Sequence, residues 1–275
     1  MRRRSSIARF SVAVACGLFP IAGYATHPYL TDDTGTQGKG NWQLELQSEH
    51  NRFDRRADPG GGMVRQERRS TLFNPVLTYG LLETLDVALS LNAVRDRTTE
   101  DGVLVQSAGG RGDSSVEAKW RFFDSGGLSL GLQPSITLPT GNVNRGLGSG
   151  RASWGINSIL IYEVNAWTWR ANVAYAEARF KLQADADAHQ RHLWRVSAGF
   201  SYALHDKFRV VAEAGIRTNH PKNDVFQPGR YGQFAMIGAI YSPSEKLDFD
   251  VGFRRGLNKA EPDLTVLAGA TVRWQ

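Results

Sequence analysis

Residues 246–257 read KLDFDVGFRRGL, and eight of them alternate without a break. Leu247, Phe249, Val251 and Phe253 stand against Asp248, Asp250, Gly252 and Arg254. Successive side chains of an extended chain point to opposite faces, so this stretch is a two-faced strand. One face is apolar; the other carries two carboxylates and a guanidinium. The same period of two runs through most of the chain beyond Asn41. It predicts strands near 41–51, 69–80, 84–95, 113–123, 127–138, 152–163, 166–178, 191–203, 207–218, 230–242, 246–256 and 263–275. These are about twelve, each near the 9–11 residues that a tilted strand needs to cross a bilayer.

The connections sort by parity. GLLET (80–84), DSGG (124–127), VNA (164–166), LHD (204–206) and PSE (243–245) are very short. Between them come six long polar stretches near 52–68, 96–112, 139–151, 179–190, 219–229 and 257–262. In an up-and-down barrel all turns of one parity lie at one end. Alternating short and long connections therefore place tight turns on one rim and loops on the other, the pattern of periplasmic turns and extracellular loops. A soluble sandwich has no reason to sort its loops this way. The predicted fold class is all-β: a transmembrane, antiparallel, up-and-down barrel with both ends of the strand array on the short-turn side.

The two faces support a barrel whose greasy side looks outward. One face carries Leu85, Val87, Leu89, Val116, Trp120, Phe122, Trp167, Trp169, Trp194, Phe200, Tyr202, Phe208, Phe249, Phe253 and Trp274. Its aromatics gather near the short turns, as a girdle at a membrane–water boundary does. The other face mixes small residues with charges of both signs: Asp86, Glu117, Lys119, Arg121, Arg170, Arg195, Arg209, Glu213, Arg217, Asp248, Asp250, Arg254 and Arg273. Such a face suits a wet lumen. These charges have two readings, cross-strand bracing of the wall and a charged path or binding surface for a solute. Pro75 and Pro134 fall inside strand windows, where a missing donor predicts a bulge. The phase of 230–242 stays open, because Phe234, Met236 and Ile240 compete with Ile237 and Tyr241.

The N-terminus bears on compartment. Arg2, Arg3, Arg4 and Arg9 precede a short apolar run ending in small residues, with Gly23 and Ala25 at −3 and −1 of a cleavage site before Thr26. This reads as a secretory signal over 1–25 and is too short for a membrane span. Its removal takes four arginines and no acid, so the net charge falls from +6 to +2 and basicity no longer argues for nucleic acid. The single cysteine, Cys16, goes with it, leaving no disulfide, thiolate or cysteine-bound metal. A lipid anchor on Cys16 is disfavoured by Ala13 three places earlier. Residues 26–40, THPYLTDDTGTQGKG, carry no strand pattern. They are expected either to fold into the lumen as a plug, with Asp32 and Asp33 meeting lumen arginines, or to form a flexible periplasmic lead.

Several blocks resemble a known family. THPYLTDDTGTQGKGNWQLEL, FNPVLTYGLLETLDVAL, GDSSVEAKWRFF, QPSITLPTG and YSPSEKLDFDVGFRRGLN are similar to segments of outer-membrane barrels labelled as transporters or as meta-pathway phenol-degradation proteins. The resemblance runs through most of the mature chain. It implies an outer-membrane location and uptake of small, often hydrophobic compounds, and it brings no residue-level site. Expected partners are outer-membrane lipid, a small solute and, during biogenesis, the barrel assembly machinery. Trp274 lies one place from where barrel precursors carry their terminal aromatic.

Other motifs are weaker. RGD at 111–113 is a three-residue match that chance supplies. GNVNRGLGSGR at 141–151 follows no nucleotide-fold strand and reads as a loop. His189 and His192, three apart, fall on opposite faces of an extended chain, poor geometry for a shared metal. No serine has a nucleophile motif. The reading is a channel or transporter for small solutes with no catalytic residue, metal or cofactor. An outer-membrane lipid-modifying enzyme and a surface interaction protein are the alternatives.

Overall fold

The computed structural model describes residues 27–275. The signal-peptide reading of 1–25 lies outside them. Among the described residues, fourteen strands form one antiparallel sheet. They are β1 (Trp42–Ala57), β2 (Val64–Leu82), β3 (Leu85–Ser90), β4 (Ala93–Glu100), β5 (Val103–Arg111), β6 (Ser114–Ser125) and β7 (Leu128–Leu138). There follow β8 (Ser153–Val164), β9 (Trp167–Glu177), β10 (His192–His205), β11 (Phe208–Thr218), β12 (Tyr231–Ser244), β13 (Leu247–Gly256) and β14 (Leu264–Trp274). β1 pairs with both β2 and β14, from Trp42 opposite Trp274 to Arg52 opposite Leu264, and this closes the sheet into a barrel. β3 and β4 lie end to end along β2, and β5 and β6 end to end beside them, so fourteen strands make twelve staves. Closure leaves no unpaired edge within the lipid-facing wall, which a bilayer demands.

Two connections expected as loops are largely strand. β1 and β2 stay paired from Arg52 opposite Arg69 up to Ala57 opposite Val64, and β4 with β5 from Ala93 opposite Arg111 up to Glu100 opposite Val103. Here polar residues fall on both faces and Val103, Leu104 and Val105 run consecutively, so no apolar alternation marks the strand, while the ladder satisfies the backbone all the same. At the β1–β2 tip the amides of Gly60, Gly61 and Gly62 donate to Asp58 at 2.7–3.0 Å, and these bonds hold its carboxyl below the usual range.

The prolines make no bulge. Val76 pairs with Ser90 and Phe73 with Ala93 in one unbroken register, so Pro75 simply lacks the donor opposite Leu91 and splits the stave into β3 and β4. Pro134 keeps register with Ile156. Register shifts fall instead at four short-turn ends, at Gly80/Leu82, Arg121/Phe123, Ala203/His205 and Tyr241/Ser244, where the strands coil into the turns, and at Thr98/Thr99 near the β4–β5 tip. In β12 the open phase is decided: Phe234, Met236 and Ile240 point inward and are buried, and Ile237 and Tyr241 face out.

Leu77, Leu89, Val116, Leu160, Val196, Phe249 and Phe253 form an exposed apolar belt. At its short-turn edge Trp167, Trp169, Phe200 and Tyr202 stack and tilt against one another with centroids 4.7–5.6 Å apart. A second aromatic group, Trp154, Tyr175 and Trp194, stands at the loop-side edge of β8–β10. Two aromatic borders bracket a lipid-facing band.

Candidate functional site

The lumen is not empty. Residues 27–40 run inside it, from the β12–β14 wall across to β1. Three inward glycines make the seat at the start. A Cβ on Gly252 would come within 2.8 Å of Pro28, one on Gly238 within 3.1 Å of Pro28, and one on Gly269 within 2.8 Å of His27 Nδ1. His27 bonds the Asp250 carboxylate. At the far end Gly40 donates to the Gly80 carbonyl at 2.8 Å, and an added Cβ at Gly80 would overlap the Gly38 carbonyl oxygen at 1.8 Å. Side chains are excluded there by the closeness of two backbones.

Between these anchors the segment is hydrogen-bonded to one stave after another. The Tyr29 hydroxyl donates to the Phe200 carbonyl at 2.6 Å, and its ring lies 3.9 Å from the Arg170 guanidinium. That ring joins Val211, Met236, Ile240 and Leu267 in a buried apolar cluster. Leu30 donates its amide to Glu213 at 2.8 Å, the Thr31 hydroxyl bonds Glu213 and Ser197, and the Asp32 amide bonds Asn172. Thr34 bonds Ser129, and the Gln37 amide donates to Asp86 at 3.0 Å. Asp32 and Asp33 meet a lysine rather than the expected arginine as nearest cation: Lys119 Nζ is 3.8 and 3.4 Å from them. Replacing Tyr29 by Ala should cost about 3 kcal/mol through the lost ring packing, cation–π contact and hydroxyl bond. Hydrogen exchange at the Leu30 and Asp32 amides should accelerate; unchanged exchange would show that Tyr29 is not an anchor.

Beside the segment lies a cavity of about 340 Å³. Glu45, Asp86, Glu117, Lys119 and Gln133 line one side, Arg209, Asp248 and Arg273 the other, and Asp33 the segment's own face. Arg273 spans Asp248 and Gln43 at 2.8 and 2.9 Å, and Gln133 donates to Glu117 at 2.7 Å. Arg209 reaches Ser242 at 3.4 Å. Arg121 lies apart, near the short-turn rim, between Asp124 at 3.5 Å and the Glu83 carbonyl.

Toward the loops the interior closes again. Arg217 forks onto Glu261, a loop residue, at 2.5 and 2.7 Å, and Arg254 binds Glu49 at 2.9 Å. Both guanidiniums flank the ring of Phe234, at 6.0 and 5.9 Å, and Phe234 is completely buried. Arg195 is buried opposite Arg217 in the ladder. The residues that sequence reasoning missed are Tyr29, Glu45, Glu49 and Glu261, and it left the facing of Phe234 open. Glu45 and Glu49 were open to view, since Leu44 and Leu46 alternate with Gln43, Glu45 and Gln47 in β1. Tyr29 and Glu261 lie outside any strand, where periodicity is silent.

The remaining motifs find ordinary roles. Asp113 of RGD is buried and accepts from the Gly141 amide at 2.9 Å and from the Ser149 amide and hydroxyl at 2.8 Å. His189 bonds the Asp185 carbonyl at 2.9 Å, whereas His192 bonds the Tyr175 hydroxyl at 2.7 Å.

The sequence profile of the family described as "Putative MetA-pathway of phenol degradation" matches residues 23–274. The chain belongs to this family. No curated protein matches the sequence. Among solved structures, an outer membrane channel of Pseudomonas putida F1 superposes with a TM-score of 0.67 at 15% identity, over 88% of this chain and 98% of that one. The β-domain of the Bordetella autotransporter BrkA gives 0.57 at 11%, covering 86% and 100%. The NanC porin gives 0.51 at 8%, covering 83% and 98%. At these identities the likeness is one of fold, an outer-membrane β-barrel.

Proposed function

We propose that the protein passes small solutes across the outer membrane through its lumen, without covalent chemistry, and that the segment 27–40 is the gate. The observation that carries this is the charged cavity of about 340 Å³ held between that segment and the wall. It falls at the small end of the range that takes small molecules. Its donors and acceptors suit a compact solute with one or two polar groups, and Val76 and Ala88 give the wall a small apolar patch for an aromatic body. A phenol-like compound combines the two, in keeping with the family description. Lumen Arg, Asp and Glu set ion preference by their local field, and the long loops control entry from outside. Membrane lipid surrounds the belt, and the barrel assembly machinery inserts the chain.

The test is single-channel recording of refolded protein in a planar bilayer under a salt gradient. Arg209→Gln removes a cation from the cavity wall. It should shift the cation-to-anion permeability ratio by about twofold or more toward cations. An open pore whose reversal potential ignores Arg209 would reject the cavity as the path.

A further inference from the structure

The outer face of β1, β2, β4 and β5 carries a feature that solute passage does not use. Arg52 pairs with Arg69, and Arg69 with Arg97, so three arginines stand directly abreast on adjacent strands. All three point outward and are exposed, with side chains of Arg52 and Arg69 54% and 61% accessible. Arg95 is in the next row, opposite Thr71, and Arg111 in the row below, opposite Ala93; both are exposed. Like charges directly opposite on a sheet repel, so such a row is unfavourable unless an anion lies across it. The nearby acids supply it only in part. Asp54 and Glu67 lie one row further out, 3.9 Å from Arg52 and Arg69, and Arg65 holds both more closely, at 2.6 and 2.9 Å.

Position identifies the anion. The row begins where the lipid-facing belt ends. Phe73, Leu77, Leu46 and Leu91 are the exposed apolar residues below it. Arg69 lies four residues beyond Phe73 on β2, about 13 Å along the strand and about 10 Å of height at the usual tilt. That is headgroup depth on the loop side, the outer leaflet. On β8–β10 the same end carries Trp154, Tyr175 and Trp194. On this side guanidiniums take their place, and guanidinium is the group that binds phosphate in a bidentate fork. We infer that this face holds the phosphate groups of the outer-leaflet glycolipid, lipid A, with acyl chains on the apolar strip below and phosphates across Arg52, Arg69 and Arg97. An acidic protein or a nucleic acid would satisfy the charges but has no use for the strip.

The experiment titrates the full barrel in neutral detergent with bisphosphoryl lipid A, its dephosphorylated form and phosphatidylglycerol, reading bound lipid by native mass spectrometry. Removal of the phosphates should weaken binding at least about tenfold, and the R52Q/R69Q/R97Q variant should lose a similar factor. Without lipid A that variant should melt no lower than the parent, because the repulsion is relieved. Heat-modifiable gel mobility reports its folding, and R69Q alone should still lose about threefold in affinity. Unchanged binding in either variant, or equal affinity for phosphatidylglycerol, would overturn the assignment; the second result would mean a general preference for anionic lipid only.

Discussion

Deletion of residues 27–38 should raise single-channel conductance at least about threefold, because a twelve-stave barrel without an insert leaves an open bore that the segment now fills. The wall does not depend on the segment for closure: the β1–β14 ladder runs from Trp42 opposite Trp274 to Arg52 opposite Leu264 and stays intact. The deletion does expose Val211, Met236, Ile240 and Leu267, which now pack on Tyr29. Their wetting should lower the unfolding midpoint by several degrees without unfolding the barrel. Conductance equal to that of the full chain, from a barrel shown to be folded, would mean that the block lies at the Phe234 level and that the segment is not the gate.

Replacement of Lys119 by Met should loosen the same segment from its other side. Lys119 Nζ is the cation between Asp32 and Asp33, with the Glu45 and Asp86 carboxylates also in its field. Breaking a buried pair by deleting one partner leaves the other charge uncompensated, at a cost of about 3 kcal/mol for a site this enclosed. The amides of Leu30, Asp32 and Gln37, which bond Glu213, Asn172 and Asp86, should then exchange about a hundredfold faster. Lys119→Arg should keep them protected. Acidification should restore protection of the Asp32 amide in Lys119→Met, since neutral carboxyls need no cation and its acceptor, the Asn172 side-chain oxygen, does not titrate. Exchange that ignores the substitution would show that the backbone bonds alone hold the segment and that Lys119 merely balances charge.

Both effects depend on groups that the sequence displays without joining. The strict alternation in 246–257 assigns Asp250 and Arg254 to one face, but it cannot say that Asp250 meets His27 or that Arg254 meets Glu49. Those contacts join residues more than two hundred positions apart in the chain, and local periodicity has no reach of that kind. The glycines are the nearest thing to a sequence signal for the inner segment. Gly238, Gly252 and Gly269 share the inward face, where a polar lumen has room for side chains, and their bareness marks where another stretch of chain comes close.

What the sequence by itself determined was the barrel. A period of two, strands of bilayer length and short and long connections in strict alternation define the stave count, the orientation and the lipid-facing side, because each is a local property of an extended chain between water and lipid. Only the tertiary structure decided where strands continue through polar stretches, as in Arg52–Ala57 paired with Val64–Arg69, since a ladder needs a partner rather than a pattern. It also decided the phase of β12, where apolar residues occupy both faces and Phe234 turns inward because Gly215 leaves it space. And it decided that Arg52, Arg69 and Arg97 stand abreast, which follows from register across three strands and from nothing within any one of them.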